Sequence, residues 1–258
     1  MSSLPPSPAS HRLRRARVTS EREIVEALEP AAGVLGSPLT PAQITQITRY
    51  LTLLAQWSRK ARLTTVTRPR EAARLHVLDS LLCLRAGVPH GASVLDVGSG
   101  AGLPGIPIKI ARPDIRITLL EAASRKVAFL EVAAAALELR VEVVGSRAEE
   151  AAHQPRLREQ FDVVVARAVA PLPALTELTL PFVRPGGKAV LLKGPAVGRE
   201  VEPGRRAAAL LGGGEVRILP VELPGGVRRT LVEIAKVLPT PPAYPRRTGV
   251  PVKRPLGE

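Results

Sequence analysis

Cysteine and aromatic residues are scarce in this chain. A single cysteine, Cys83, among 258 residues leaves no internal disulfide and no cysteine-clustered zinc site, which favours a reducing compartment. Phe, Trp and Tyr make up only 2% of the residues, which argues against an RNA-binding sheet that stacks bases on aromatic rings. The four histidines are scattered along the sequence and give metal binding no support.

Long apolar runs are also missing. No run approaches the roughly 18 apolar residues that span a bilayer, since the best candidate, 127–139, is interrupted by Glu131 and Glu138. Residues 1–20 combine arginines with Pro and Ser and lack the apolar region of a secretion signal. We interpret them as a disordered basic arm, with a mitochondrial presequence as the minor alternative. The chain is therefore expected to be cytoplasmic, without membrane contact.

Acidic residues are too few to balance the basic ones. Lys and Arg number 37 against 23 Asp and Glu, which gives a net charge of +14 and an isoelectric point near 11.1. Both ends of the chain are basic, but its body keeps a positive excess. A GC-rich genome would account for the preference for arginine over lysine, not for the charge. We expect a polyanionic partner, most simply a nucleic acid held mainly through its phosphates.

The first part of the chain, residues 21–90, is predicted to be a helical N-terminal subdomain. Thr40-Pro41-Ala42-Gln43 combines a capping box with proline at the first helical position, and apolar residues then recur at helical spacing up to Trp57. A second helix is expected from about 69 to 85, with Gly87 beyond its end. The length of the whole chain suits one catalytic domain with such an accessory part.

From Ser93 onward, short apolar runs alternate with helix-like segments. This rhythm predicts an α/β fold with a doubly wound, Rossmann-like parallel sheet over residues 91–238. Two final runs, 216–223 and 229–237, have no helix between them, which predicts a terminal antiparallel hairpin. Such an ending is typical of many S-adenosylmethionine-dependent methyltransferases, whereas dinucleotide folds usually continue with parallel strands. Residues 239–258 are expected to be a disordered, Pro-rich basic tail. The strands are predicted at 94–97, 116–121, 141–145, 162–166 and 188–193, and the helices from about 103, at 124–138 and near 172–182.

The most informative segment is Val94–Gly105, an apolar strand that runs through Asp96 into a glycine-rich turn. Glycines at 98, 100 and 102 would let backbone amides approach a ligand, and the next helix would point its N-terminus at it. Residues 100–105 also match the G-x-G-x-x-G pattern of dinucleotide sites. The segment alone leaves a nicotinamide dinucleotide and an adenosine cofactor without phosphates both open.

Candidate site residues follow the predicted strands. Asp96 can accept a hydrogen bond from a cofactor ammonium or a water, and Glu121, twenty-three residues after Gly98, can accept ribose hydroxyls. Ser146-Arg147-Ala148-Glu149 lies where an adenine would be bracketed. Arg167 follows a buried strand and is expected to emerge at the cleft. Two further cations at the same rim, Lys193 and Arg229, suit a phosphodiester substrate.

With these residues in place, the chain closely resembles the bacterial 16S ribosomal RNA guanine-N(7) methyltransferase family, historically called glucose-inhibited division protein B. The resemblance covers about residues 40–237. Its departures are Ser58 and Arg62, where the family usually has asparagine, and Leu75, where it has arginine. The segments that carry it are Trp57–Val66, His76–Ser80, Asp96–Pro107, Ser146–Arg147, Arg167–Ala168, Leu192–Gly194 and Arg229–Val232.

The resemblance implies an enzyme that transfers a methyl group from S-adenosylmethionine to the seven-nitrogen of a guanine in 16S ribosomal RNA or the small ribosomal subunit. This nitrogen carries no proton, so no residue is assigned as a general base, and no metal is expected. The alternatives are a nicotinamide-dependent oxidoreductase and a non-catalytic RNA-binding ribosome factor. The implied cofactor contacts are Gly98, Leu103, Ala148, Glu149 and Arg167; Asp96, Gly100 and Glu121 join them on physical grounds, and Arg147, Lys193 and Arg229 are the substrate-side candidates.

Overall fold

The computed structural model of the chain describes residues 21–257, so the predicted basic arm at 1–20 lies outside them. Helix α1, Pro41–Ala61, begins at the predicted capping box, in which Gln43 N donates to the Thr40 hydroxyl at 3.3 Å and Thr40 N donates to the Gln43 side chain at 2.8 Å. It ends at Arg62, whose φ of 50° lies in the left-handed region that an asparagine tolerates better. Before it come helical residues 21–28, the 3₁₀ turn Glu29–Ala31 and the short helix Ala32–Leu35.

The second predicted helix is present but is not uniform. It consists of four consecutive segments, which we call the segmented helix, residues 69–86. A π-helical turn in its middle widens the backbone, a feature often found at functional sites. The segments are the α-helix Pro69–Ala72, the π-helix Ala73–Leu78, the α-helical turn Asp79–Leu81 and the 3₁₀ helix Leu82–Ala86.

The sheet confirms the predicted α/β class. Seven strands lie in the order β3-β2-β1-β4-β5-β7-β6; β1 to β5 run parallel, and β7 pairs antiparallel with both β5 and β6. Because β1 has β2 on one side and β4 on the other, the chain order reverses there and opens a crevice at the strand ends. The strands are β1 Ser93–Val97, β2 Arg116–Glu121, β3 Val141–Gly145, β4 Phe161–Arg167, β5 Val183–Lys193, β6 Gly213–Leu223 and β7 Val227–Lys236.

Helices cover both faces of this sheet. Because strand side chains alternate, Val94 packs into the cluster that contains the N-terminal helices, whereas Leu95 and Val97 pack into the cluster on the opposite face. The N-terminal helices therefore share one core with the sheet. After α1 and the segmented helix, the helices are α2 Gly105–Ala111, α3 Ser124–Ala136, α4 Ala148–Ala151, α5 Leu172–Thr179, α6 Gly198–Leu210 and α7 Val250–Lys253, with 3₁₀ turns at Leu180–Phe182 and Pro195–Val197.

Helix α6 has no counterpart in the sequence-based prediction. It contains Pro203 in its interior and glycines at 198 and 204, residues that lower helix propensity and hide the periodic pattern. Gly204 has a packing role, because a Cβ there would lie 2.7 Å from Leu172 Cδ2. Helices α5 and α6 approach each other closely at Gly204. This contact explains why a residue of low helix propensity lies inside α6.

The expectation of a disordered tail from residue 239 is wrong for the residues that the structure describes. Arg246 forms an ion pair with Glu177, which is fully buried, and Arg158 donates to the Thr240 and Tyr244 carbonyls. Proline and charge suggested disorder because the segment has little apolar surface of its own. Partners some 70 to 90 positions earlier in the chain hold it instead.

One contact fixes the glycine-rich turn to α1. The hydroxyl of Tyr50, a fully buried side chain, donates to the Ala101 carbonyl at 2.7 Å. Tyr50→Phe should lower the free energy of unfolding by about 1–2 kcal/mol, because the buried carbonyl loses its partner. Thr52→Ala, which removes an exposed hydroxyl from the same helix, should change it by less than about 0.5 kcal/mol. Urea unfolding compares the two, and equal losses would contradict this assignment.

Candidate functional site

The glycine-rich turn after β1 satisfies its own backbone groups. The Gly98 and Ser99 amides donate to the Leu120 carbonyl at 2.8 and 3.0 Å, which ties the turn to β2. The Gly102 and Leu103 amides donate to the Ser99 carbonyl at 2.7 and 2.9 Å. Four amides of this turn, including those of Gly98 and Gly102, are therefore used within the protein.

Two further amides of the turn are held by carboxylates. Asp96 Oδ2 accepts from the Gly105 amide at 2.9 Å, at the first residue of α2. Glu121 Oε2 accepts from the Gly100 amide at 2.9 Å, and its Oε1 accepts from the Ala123 amide at 2.8 Å. Six amides of the turn therefore have partners within the protein, and two of the six partners are acidic side chains.

This arrangement decides which cofactor chemistry fits. A dinucleotide needs unpaired amides to receive its two phosphates. Here the buried side chains of Asp96 and Glu121 place hydrogen-bond acceptors at the same point, and acceptors do not suit the oxygens of a diphosphate. A cofactor with a cationic end and free ribose hydroxyls suits them, since carboxylates accept from both.

Asp96 keeps one oxygen unused. The residue is fully buried, and among residues 21–257 its Oδ1 has no hydrogen-bond partner. Burial raises the pKa of this carboxyl to about 7, against the opposing effect of the hydrogen bond from Gly105. An unpaired buried oxygen is costly, so it marks the place where a donor on a ligand would be stabilising.

Gly98 is needed for the shape of the turn. Its φ of 71° is left-handed, and a Cβ there would lie 2.8 Å from a methyl group of Val169. Val169 follows Ala168, which has the unusual φ of 55° for a residue with a side chain. The loop after β4 thus closes tightly over the glycine-rich turn.

Arg167, the last residue of β4, does not point freely into the cleft. Its Nη1 donates to Asp79 Oδ2 at 2.9 Å and to the Leu75 carbonyl at 3.0 Å, both on the segmented helix. Arg229 Nε donates to the other oxygen of Asp79 at 2.8 Å. One carboxylate, 2% exposed, thus joins the arginine assigned to the cofactor with the one assigned to RNA.

The sequence predicts His76 and Asp79 on one face of the second helix, three positions apart, but it does not predict this bridge. His76 Nε2 hydrogen-bonds with the Thr64 hydroxyl at 3.0 Å and the Val66 carbonyl at 3.1 Å, and burial lowers its pKa. Asp79 lies 88 positions from Arg167 and 150 from Arg229. No local pattern in the sequence reports pairs that are so distant, and the cations at the strand ends are assigned from the sequence to the cofactor and the RNA instead.

Lys193 and Arg147 have different environments. Lys193 Nζ donates to the Ala170 carbonyl at 2.9 Å and pairs with Glu200 at 2.8 Å, so it holds the loop after β4. Glu200 also accepts from the Leu172 amide at 2.5 Å. Arg147, just before α4, is exposed. Of the three cations proposed for the substrate side, Arg147 is thus the one whose side chain faces solvent, while Lys193 and Arg229 are engaged in ion pairs.

Ala148 and Glu149 open α4 at the other side of the crevice. Glu149 is 8% exposed, and its Oε1 accepts from the Gly249 amide at 2.8 Å. The carboxylate thus has a partner in the C-terminal segment, which the sequence predicts to be a disordered tail. Leu103 is buried beneath the turn, and Gly100 is partly accessible.

A seven-stranded sheet that ends in an antiparallel hairpin, with a carboxylate-lined glycine turn at its crevice, defines a methyltransferase of the Rossmann-like α/β class. The model of one family, GidB, described as rRNA small subunit methyltransferase G, matches residues 43–229. The chain belongs to this family, as the resemblance of its motifs indicated.

Two relatives of known family support the assignment over almost their whole lengths. The chain is 47% identical to the "Ribosomal RNA small subunit methyltransferase G" of Roseiflexus castenholzii over 222 residues, which are 86% of this chain and 95% of that protein. It is 45% identical to the protein of the same name from Moorella thermoacetica, over 86% of this chain and 93% of that one. A solved methyltransferase from Pyrococcus furiosus superposes with a TM-score of 0.48 at 17% identity, covering 62% of this chain and 83% of that one.

These findings confirm that the chain is a methyltransferase of the S-adenosylmethionine-dependent class, and they do not support the oxidoreductase alternative. Within residues 21–257, no helix is long and apolar enough to cross a membrane. The same residues contain no group of three or more His, Cys, Asp or Glu side chains arranged to hold a metal ion.

The raised pKa of Asp96 predicts a specific pH dependence of stability. Since burial raises this pKa from 3.8 to about 7, the folded protein keeps a proton that the unfolded chain releases. The free energy of unfolding of the wild type should therefore fall, relative to that of Asp96→Asn, as the pH rises from about 4 to about 7, and then level off.

Urea unfolding at several pH values between about 5 and 8 measures this difference. Asp114→Asn is the matched control, because the hydrogen bonds from Arg112 lower the pKa of Asp114 and keep it ionised over the whole range. Its difference from the wild type should stay constant. A constant difference for Asp96→Asn as well would show that Asp96 is ionised in the fold at every pH tested.

Proposed function

We propose that this protein methylates the seven-nitrogen of a guanine in 16S ribosomal RNA of the small ribosomal subunit, with S-adenosylmethionine as methyl donor, in the cytoplasm. The observation that carries the proposal is the 47% identity to a protein named ribosomal RNA small subunit methyltransferase G, across 95% of that protein. The net charge of +14 supports a polyanionic substrate. The carboxylates at the glycine turn support a cofactor without phosphates.

Each part of this cofactor can be assigned to particular residues of the site. The unpaired Oδ1 of Asp96 would receive its cationic amino-acid end, directly or through a water. Glu121 keeps lone pairs for the ribose hydroxyls beyond those used by Gly100 and Ala123. The adenine would lie against Ala148 and Glu149 at the start of α4. The glycine turn (Gly98, Gly100, Leu103) would form the floor, and Arg167 the wall next to the segmented helix.

No side chain has to move a proton in this reaction. When bound, the cofactor supplies a methyl group on a sulfonium sulfur. The seven-nitrogen of guanine is an unprotonated acceptor on the major-groove edge, so its lone pair needs no activation by a base. The contribution of the protein is to hold the two reactants in line in one cleft, and such positioning accounts for a large part of a rate acceleration.

The ion pairs control charge near the reacting base, which becomes cationic on methylation. Asp79 offsets one of the two positive charges of Arg167 and Arg229, so this wall carries one net charge instead of two. Lys193 is offset by Glu200. We infer that Arg229 and the exposed Arg147 face the RNA backbone, and that Lys193 acts by ordering the loop after β4.

A labelling experiment tests the proposal. The protein is incubated with tritiated S-adenosylmethionine and small ribosomal subunits that lack the modification, and the labelled base is mapped. We expect label in one guanine, as 7-methylguanine. Binding of the subunit without any incorporation would instead favour the non-catalytic ribosome factor. Absence of both incorporation and cofactor binding by calorimetry would refute the methyltransferase proposal.

The role of Arg147 predicts a change in salt dependence. Each phosphate contact contributes about 0.7–0.9 to the slope of log affinity against log salt. Arg147→Ala should therefore weaken subunit binding and reduce that slope by about one contact, while cofactor affinity stays unchanged. Arg184→Ala is the control, since Arg184 lies near the amino end of β5, at the opposite edge of the sheet, and pairs with Asp162. Equal slopes for Arg147→Ala and the wild type would show that Arg147 does not contact the RNA backbone.

A further inference from the structure

The C-terminal segment, residues 239–257, is anchored on α5 by an ion pair whose acidic partner is buried. The Arg246 guanidinium binds both carboxylate oxygens of Glu177, with Nη2 to Oε2 at 2.6 Å and Nε to Oε1 at 3.0 Å, and its own amide donates to Oε1 at 2.8 Å. Glu177 is fully buried, so Arg246 supplies its neutralising charge. A bidentate arginine–carboxylate pair of this kind fixes the direction of the C-terminal segment as well as its position.

A second set of contacts holds the beginning of the segment next to α4. Arg158 Nη1 donates to the Ala152 carbonyl at 3.1 Å and the Tyr244 carbonyl at 2.9 Å, and its Nη2 donates to the Thr240 carbonyl at 2.8 Å. His153 Nε2 lies 2.9 Å from the Pro245 carbonyl. Because these bonds end on backbone carbonyls, they specify the path of the segment largely independently of its side chains.

The segment then reaches the first turn of α4. Gly249 donates its amide to Glu149 Oε1 at 2.8 Å, and the Thr248 hydroxyl donates to Glu150 Oε1 at 3.2 Å. Gly249 has a φ of 79°, which the next turn, Val250–Lys253, requires at its start. Glu149 is the carboxylate that we place at the adenine end of the cofactor cleft, so the segment contacts that cleft through one hydrogen-bonded side chain.

We propose that the C-terminal segment is a positioning element of the cofactor site. Arg246, locked on Glu177, sets the place of the Gly249 amide, and that amide orients Glu149 toward the adenine. This inference rests on the proposed function, because it uses the cofactor assigned there. The coupling between the segment and the cofactor is reciprocal: an ordered segment favours cofactor binding, and bound cofactor stabilises the segment to the same extent.

The stabilisation can be measured on the wild-type protein by hydrogen exchange, with S-adenosylhomocysteine as the probe ligand. Exchange in a peptide that covers residues 244–253 should slow on saturation with the ligand. A peptide from the start of β6, residues 213–219, should change little, which separates local coupling from a general gain in stability. Unchanged exchange in residues 244–253 would overturn the inference.

A double variant tests the opposite direction. Arg246→Met alone would leave a buried, unpaired carboxylate and risks unfolding, so it is combined with Glu177→Gln. We expect the Kd for S-adenosylhomocysteine to rise about tenfold, within the usual range of coupling between sites, while the KM for the ribosomal subunit stays unchanged. Arg247→Met removes the neighbouring exposed cation and should leave both constants unchanged.

The outcomes separate the two proposals. A wild-type protein that does not bind S-adenosylhomocysteine refutes the proposed function. A wild type that binds it, with equal Kd values for the double variant and Arg247→Met, refutes only the positioning role. A merely structural role predicts a lower Tm for the double variant with an unchanged Kd well below that Tm, and this result also counts against the inference. If the double variant does not fold, the exchange measurement decides.

Discussion

The structure around the site depends on how the glycine turn satisfies its backbone amides. A turn with three left-handed glycines exposes donors that a fold must pair or leave to a ligand. This protein pairs six of them with the Leu120 and Ser99 carbonyls and with the carboxylates of Asp96 and Glu121. The same bonds join β1, β2 and α2 into one rigid corner. They also place carboxyl oxygens, which accept hydrogen bonds, at that corner, and the preference for a cofactor with a cationic end and free hydroxyls follows from it.

The second constraint is the buried carboxylate of Asp79. Removing two arginines from water at the end of a sheet is costly unless a partner of opposite charge is near. Asp79 binds both, and because it belongs to the segmented helix, it ties the N-terminal helices to β4 and β7. The accessory helices and the site are therefore one unit, and the bridge links the wall proposed for the cofactor to the edge proposed for RNA.

Much of this arrangement could be predicted from the sequence, because its signals are local. Apolar runs between 93 and 193 defined parallel strands, and the strand ends put Asp96 and Glu121 at one edge. The misses have a common cause. Helix α6 was hidden by Pro203 and two glycines, of which one, Gly204, packs against Leu172. The C-terminal segment looked disordered because its stabilising partner, Glu177, lies 69 positions away.

The charge of the whole chain and the side chains of the pocket differ in sign: the chain is basic, but acidic side chains line the pocket. A surface with a large positive excess attracts RNA over long distances, but the same field would disfavour a cationic cofactor. Asp96 and Glu121, buried at the base of the cleft, counter that field locally by placing acceptor oxygens at the position proposed for the cofactor. The glycine turn matches a dinucleotide pattern in its letters, yet its neighbours decide its chemistry. A pattern of glycines specifies the path of the backbone; the acidic residues that pair with its amides specify which ligand that path can hold.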